Sequence, residues 1–120
     1  YGYSDRIGIL YQLLGETSMG IRHWMDWYTD RTQYADWYLT LSPERLLACD
    51  EELVRILYAQ SDGLQNALRC GMPVEEKTIT RYLHTAQTAR LRLQQCGSRY
   101  TRLIDELTAP FNGTEEDTIH

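Results

Sequence analysis

Apolar residues recur at alternating steps of three and four along Val74–Leu107: Ile79, Tyr82, Ala86, Ala89, Leu93, Cys96, Tyr100, Leu103 and Leu107. That spacing is the a/d seam of a helix packed lengthwise on another helix. The stretch has no internal proline. As one helix rising ~1.5 Å per residue it would be roughly 50 Å long, too long to stand alone on a surface. The pattern therefore predicts one continuous helix whose partner lies elsewhere in the chain.

The partner is legible upstream. Ser42-Pro43-Glu44 supplies an N-cap, a proline at the first helical position and a first-turn carboxylate. A helix starting there is expected to run to about Cys70, where Gly71 and Pro73 stop it. It carries two apolar seams, one through Leu46, Cys49, Leu53, Ile56 and Ala67, the other through Leu47, Val54, Leu57, Leu64 and Leu68. A helix apolar on two faces belongs in the middle of a bundle. The short Cys70–Pro73 loop makes the two helices antiparallel neighbours. The expected register pairs Cys49 with Cys96, Leu53 with Leu93, Ile56 with Ala89, Gln60 with Ala86, Gly63 with Tyr82 and Ala67 with Ile79.

Two further helices are expected before this hairpin. Residues 4–14 read as a short helix capped by Ser4, with Ile7, Leu10, Tyr11 and Leu14 on its apolar face and Gly15 as its stop. A second helix runs from about Ser18 to Leu39 or Thr40 and carries all three tryptophans, Trp24, Trp27 and Trp37, with Tyr28, Tyr34 and Tyr38. Its apolar positions spread over roughly two-thirds of the circumference, wider than a surface helix needs. One reading covers the helix on two sides; the other leaves the Trp27/Tyr34/Trp37 edge open as a partner-binding surface. The expected fold is all-α: an antiparallel three-helix bundle, made of a long helical hairpin plus the aromatic-rich helix, with a short N-terminal helix, so up to four helices. Residues 1–108 form the domain, and 109–120 an acidic, disordered tail carrying Glu115-Glu116-Asp117.

A Trp-containing helix followed by a Gly71-Met72-Pro73 turn and a heptad helix with Ile79, Leu83 and Leu93 resembles a spectrin-type three-helix repeat over about residues 60–95. The chain departs from that pattern in a shorter third helix and in Arg90, which stands where the family usually has an aromatic. The resemblance implies a helical bundle.

Composition narrows the class. The chain has 120 residues, 42% hydrophobic and 24% charged, with three prolines and eight glycines. That is ordinary for one globular domain able to bury a core without disulfides or metal. No apolar run approaches the ~18 residues of a membrane span. The opening Tyr1-Gly2-Tyr3 lacks a methionine, so an excised domain or processed product is expected. The net charge of −5 disfavours nucleic acid as a general partner. Yet residues 77–102 hold Lys77, Arg81, Arg90, Arg92, Arg99 and Arg102 and no acidic residue. Arg92 and Arg99 fall at g, Arg90 at e, and Arg81 and Arg102 at c, so these arginines either pair with acids of neighbouring helices or meet an anionic partner.

Candidate chemistry is sparse. Three cysteines leave at least one unpaired. Cys49 and Cys96 share a level and are the one candidate disulfide, against free thiols in the core; Cys70 is the expected exposed thiol. Cys/His spacings for zinc, glycine-rich phosphate loops and nucleophile elbows are missing. His23, Asp26 and Asp30 share a polar face better read as solvated than as a metal site. Asn112-Gly113-Thr114 matches a glycosylation triplet. The expectation is therefore no enzyme, cofactor or metal. The domain is expected to be a protein–protein interaction module (adaptor, chaperone or scaffold) of a larger protein or assembly, with another protein as partner and self-association permitted. One alternative is a secreted helical ligand or effector held by a Cys49–Cys96 bridge. Another is an anion- or nucleic-acid-binding bundle using the arginine-rich helix. The compartment is open, with cytoplasm favoured over secretion.

Overall fold

The computed structural model describes residues 17–119, with side chains placed over 21–112. The expected N-terminal helix at 4–14 lies outside the described residues, as does His120. The described chain is helical throughout: α1 (Thr17–Tyr38), α2 (Pro43–Ala48), α3 (Asp50–Arg69), α4 (Glu76–Gln95) and α5 (Thr101–Ile119). None of these helices is long and apolar enough to cross a membrane.

The all-α bundle stands, but its helices are divided differently. The single long helix expected over Val74–Leu107 is two helices folded back on each other. Cys96 closes α4, Gly97 takes φ +81°, and two bonds complete the stop: Gly97 N–H donates to Gln94 O at 3.2 Å and Ser98 N–H to Leu93 O at 2.9 Å. This is a Schellman motif, in which a left-handed residue lets the chain satisfy its own last carbonyls. α3 ends in the same way. Gly71 has φ +74°, its N–H reaches Leu68 O at 3.2 Å, and Met72 N–H reaches Ala67 O at 2.9 Å with the Met72 side chain buried.

The turn at Gly97 makes α4 and α5 an antiparallel hairpin. Its far end is marked by Tyr82 against Phe111, ring centroids 5.6 Å apart, and its middle by Arg90 to Asp105 at 2.7 Å. α4 packs more extensively on α5 than on α3. α3 nevertheless runs antiparallel to α4, with Tyr82 Oη donating to Leu57 O at 2.8 Å and Ser98 Oγ to Asp50 Oδ2 at 2.7 Å at opposite ends. The expected register of α3 on α4 departs at the levels of Tyr82, whose phenol reaches Leu57 rather than Gly63, and of Gln60. Gln60 turns instead to α1, where its Nε2 donates to Thr32 Oγ1 at 2.8 Å, and Ser61 Oγ donates to Leu107 O of α5 at 2.9 Å. Both polar side chains are buried, and each meets the partner that burial demands.

The expected helix from Ser42 to Cys70 is also divided. Ser42 caps α2, its Oγ accepting from Arg45 N–H at 3.4 Å, with Pro43 at the first position. At Cys49 the backbone leaves the helix (φ −126°, ψ 24°), and Asp50, Glu51 and Glu52 open α3 as first-turn carboxylates that suit a helix N-terminus. Leu46, on the short α2, is fully buried.

α3 holds the centre. Leu53, Val54, Leu57, Gln60, Ser61, Gly63, Leu64 and Ala67 are buried and draw on both expected seams. Around them lie Trp24, Tyr28 and Ala35 of α1, Tyr82, Ala86, Ala89 and Leu93 of α4, and Ile104, Leu107 and Phe111 of α5. The region expected to be a tail from residue 109 begins inside α5. Pro110 sits within that helix on its exposed side, where solvent can serve the carbonyl its missing N–H leaves open. Phe111 is buried, worth about 1.5–3 kcal/mol of apolar transfer. The side chains of 113–120, including the acidic run, lie outside the described residues.

Two predictions follow from the turns and the buried phenols. A Cβ at Gly97 would meet nothing within 4 Å, so Gly97→Ala should destabilise through its backbone angle alone, by about 1–2 kcal/mol, and Gly97→Asn by less. Urea unfolding measures both; a stabilised Gly97→Ala protein would mean that α4 and α5 join. Burial raises the Tyr28 and Tyr82 phenols well above their ordinary value of 10.0. The folded state therefore resists ionisation that the unfolded chain undergoes near pH 10. The contribution of these two phenols to stability should be constant below that value and fall as pH rises above it, with phenolate absorbance from these two tyrosines appearing only together with unfolding.

Candidate functional site

The structure separates the expected partner-binding residues into two groups, one on α1 and one on α4 and its hairpin. On α1, Trp27, Tyr34 and Trp37 share no common exposure. Trp27 is half-buried and belongs to an aromatic cluster with Trp24 and Tyr28, at centroid distances of 6.5 and 6.3 Å, while Trp24 stacks on Tyr28 at 5.1 Å. The Trp27 indole nitrogen is shut away from solvent. Tyr34 and Trp37 are open, 49% and 56% exposed. The expected edge thus shrinks to its C-terminal two-thirds, and Trp27 moves to the core side.

The surviving part is a stripe. Asp30, Gln33, Tyr34, Trp37 and Tyr38 follow one another at steps of three, one, three and one, the spacing of a single helix face, and line an open groove of about 440 Å³. Trp37 and Tyr38 meet edge to face, centroids 5.1 Å apart at 74°. The Arg31 guanidinium lies 4.8 Å above the Tyr34 ring and donates to Asp30 Oδ2 at 2.8 Å. Tyr38 is pushed above the ordinary phenol range first by desolvation, then by the negative charge of Glu52, with smaller contributions from Cys49 and Tyr34. The groove therefore ends beside the acidic first turn of α3.

Three of the expected arginines are engaged within the chain, Arg81 at the surface and Arg90 and Arg92 half-buried, by groups on α1, α5 and the α1–α2 turn. Arg81 pairs with Asp36 of α1 at 2.8 Å, and Arg90 grips Asp105 of α5 through two nitrogens at 2.7 and 3.4 Å. Arg92 does more. Its Nη1 donates to Leu39 O and its Nη2 to Leu41 O at 2.5 Å, so one guanidinium serves the carbonyls just beyond the end of α1 and locks the α1–α2 turn onto α4. Arg99 donates to Tyr100 Oη at 2.8 Å and lies 4.9 Å over that ring; this bond, the largest influence, holds its guanidinium above the usual arginine range. Arg102 is exposed and has no partner among the described residues. Sequence position identified the arginines but missed Arg92's role, because backbone carbonyls leave no charge pattern to match.

The cysteines are free thiols. Cys49 Sγ donates to Arg45 O at 3.0 Å and Cys96 Sγ to Leu93 O at 3.4 Å, each to the helix it caps, and no bridge joins them. Burial, then Glu52 and Asp50, raise the Cys49 thiol and disfavour the reactive thiolate. Cys70 is exposed, as expected. Among the described residues no cluster of three or more His, Cys, Asp or Glu is arranged to hold a metal ion. A second open depression of about 410 Å³ lies between α4 and α5, bordered by the Arg90–Asp105 pair.

No protein-family model, curated protein or solved structure matches the chain. The likeness to a spectrin-type repeat therefore carries no membership, and the break at Gly97 gives this bundle a fourth long helix where such a repeat has three.

Arg92 gives this region its sharpest test. Arg92→Ala removes two charge-assisted bonds to half-buried carbonyls and should cost about 2–3 kcal/mol. Arg92→Lys keeps the charge but not the fork and should recover only part of that loss. The exposed Arg81–Asp36 pair should cost under about 1 kcal/mol when broken by Arg81→Ala. Urea midpoints of the three variants order these effects; equal losses for Arg92→Ala and Arg81→Ala would contradict the capping role.

Proposed function

We propose that the protein is a non-catalytic protein–protein interaction module, an adaptor, chaperone or scaffold domain, whose partner docks on the Tyr34/Trp37 face of α1. The exposure of Trp37 carries this reading. Tryptophan and tyrosine supply most interface hot spots, because a large rigid ring gains much contact area for little lost freedom. Other large apolar side chains are exposed, among them Leu47, Tyr58, Leu68 and Leu91. Singly placed surface apolar residues need no explanation. Tyr34 and Trp37 differ in sharing one groove with a half-buried Tyr38 at its base.

The two alternatives have less support. The anion- or nucleic-acid-binding reading asks for free guanidiniums, whereas Arg81, Arg90 and Arg92 are engaged within the chain. The secreted-ligand reading asks for a Cys49–Cys96 bridge, whereas both thiols donate to carbonyls of the helices they cap. Self-association through the same aromatic face is the interaction reading with a second copy as partner.

Affinity capture from source lysate, with quantitative mass spectrometry, compares the wild-type domain with Trp37→Ala. Loss of a hot-spot ring should lower partner recovery by roughly tenfold or more while the unfolding midpoint stays within about 0.5 kcal/mol of wild type. Trp27→Ala should instead destabilise the fold. Unchanged recovery with Trp37→Ala would overturn the reading.

A further inference from the structure

We infer that the Tyr34/Trp37/Tyr38 groove is a cation-recognition site, and that its occupant is a peptide segment presenting an arginine or lysine side chain. This rests on the interaction reading above and names the chemistry of the partner. Three observations point the same way.

First, the groove offers π faces set at an angle. Trp37 and Tyr38 stand edge to face, and Trp37 keeps more than half its surface open. Indole is the ring that attracts a cation most strongly, and its contact with Tyr38 leaves Trp37 with more than half its surface open to one.

Second, the surroundings are acidic on balance. The only charged residue lining the groove is Asp30, and Glu52 lies close enough to Tyr38 to raise its phenol. Asp26, one helical turn before Asp30, is exposed as well. Arg31 offsets Asp30 at 2.8 Å, but the arginines of α4 are held elsewhere, Arg81 on Asp36 and Arg92 on the carbonyls beyond α1, so Asp26 and Glu52 leave the surroundings acidic on balance.

Third, the chain already makes the contact once. Arg31 places its guanidinium over the Tyr34 ring while bonding to the Asp30 carboxylate. A ring paired with a neighbouring carboxylate is the arrangement that holds a guanidinium at a protein surface, and Trp37 with Tyr38 repeats the aromatic half of it one turn further along α1. Arg31 itself covers Tyr34, so the incoming cation belongs over Trp37. Each such contact is modest at an exposed site, about 0.5–1 kcal/mol, so selectivity for charge rather than tight binding marks the site.

The test uses the full 120-residue chain labelled with nitrogen-15, and the probe peptide acetyl-Gly-Arg-Gly-Arg-Gly-amide. Its neutral isostere carries citrulline in place of both arginines. The Trp37 indole signal, assigned from the Trp37→Phe spectrum, should move on titration with the arginine peptide at roughly millimolar affinity. The citrulline peptide should bind about threefold to fivefold more weakly, and the double variant Asp30→Asn/Glu52→Gln should lose a similar factor for the arginine peptide alone. Equal binding of the two peptides, or arginine-peptide shifts that bypass Trp37, would overturn the cation inference. If Trp37→Ala still abolishes partner capture in that case, the interaction reading survives and the groove is an apolar dock. If capture is also indifferent to Trp37, both fall. Concentration-dependent shifts of Trp37 without peptide would assign the face to a second copy and likewise overturn the inference.

Discussion

The fold depends on one backbone angle. Gly97 at φ +81° ends α4 where its apolar seam would let it continue, and the chain folds back as α5. That reversal brings Ile104, Leu107 and Phe111 onto the core and gives the buried hydroxyl of Ser61 a carbonyl to bond, Leu107 O. It also gives Arg90 its acid, Asp105. An uninterrupted helix would carry those residues far past the end of α3, with nothing to cover them. A left-handed residue costs glycine little and any side-chain-bearing residue more, so a whole helix of packing rests on one missing Cβ.

The polar interior is arranged around the same reversal. Ser98, next after the glycine, donates to Asp50 at the start of α3 and accepts from Tyr100 N–H at the start of α5. One hydroxyl thus joins the beginnings of two helices at the turn between α4 and α5. Arg92, one turn before the break, reaches across to the end of α1. α1, α3, α4 and α5 are consequently tied together near one end of the bundle by side chains bonding to helix ends. The middle is held by apolar packing, with Gln60 to Thr32 and Tyr82 to Leu57 satisfying buried polar groups.

Much of this was legible in the residues, and what was missed has definite physical causes. Helical periodicity gave the fold class, and Ser42-Pro43 and Gly71 gave true helix ends. The break at Gly97 escaped because Tyr100, Leu103 and Leu107 continue the three-four spacing by coincidence; on α5 the buried set is Ile104, Leu107 and Phe111. A local signal did exist. Cys-Gly occurs at 70–71 and again at 96–97, and both copies end helices in the same motif. The break at Cys49 had one too, since three consecutive acids at 50–52 suit a helix beginning rather than its middle. On α1, Trp27 and Tyr34 lie two turns apart on nearly one face, yet only Tyr34 is exposed. A helical wheel gives the angle of a residue and not its height along the bundle, and here height decides.

The same asymmetry bears on why the aromatic face exists. α1 is fixed to the rest by Trp24, Tyr28 and Ala35 in the core, by Thr32 accepting from Gln60, and by Arg81 and Arg92 reaching its last turn. Those contacts leave the Tyr34/Trp37 stripe about half exposed, its rings touching Arg31 and Tyr38 of α1 itself. Large rings there add exposed apolar surface, which favours association. The neighbouring carboxylates work against such association between copies by like-charge repulsion, and the proposed cationic partner would meet no such repulsion. Exposed aromatic surface beside a surplus of carboxylates, rather than the arginine-rich helix behind it, is therefore the feature on which the proposed docking reading rests.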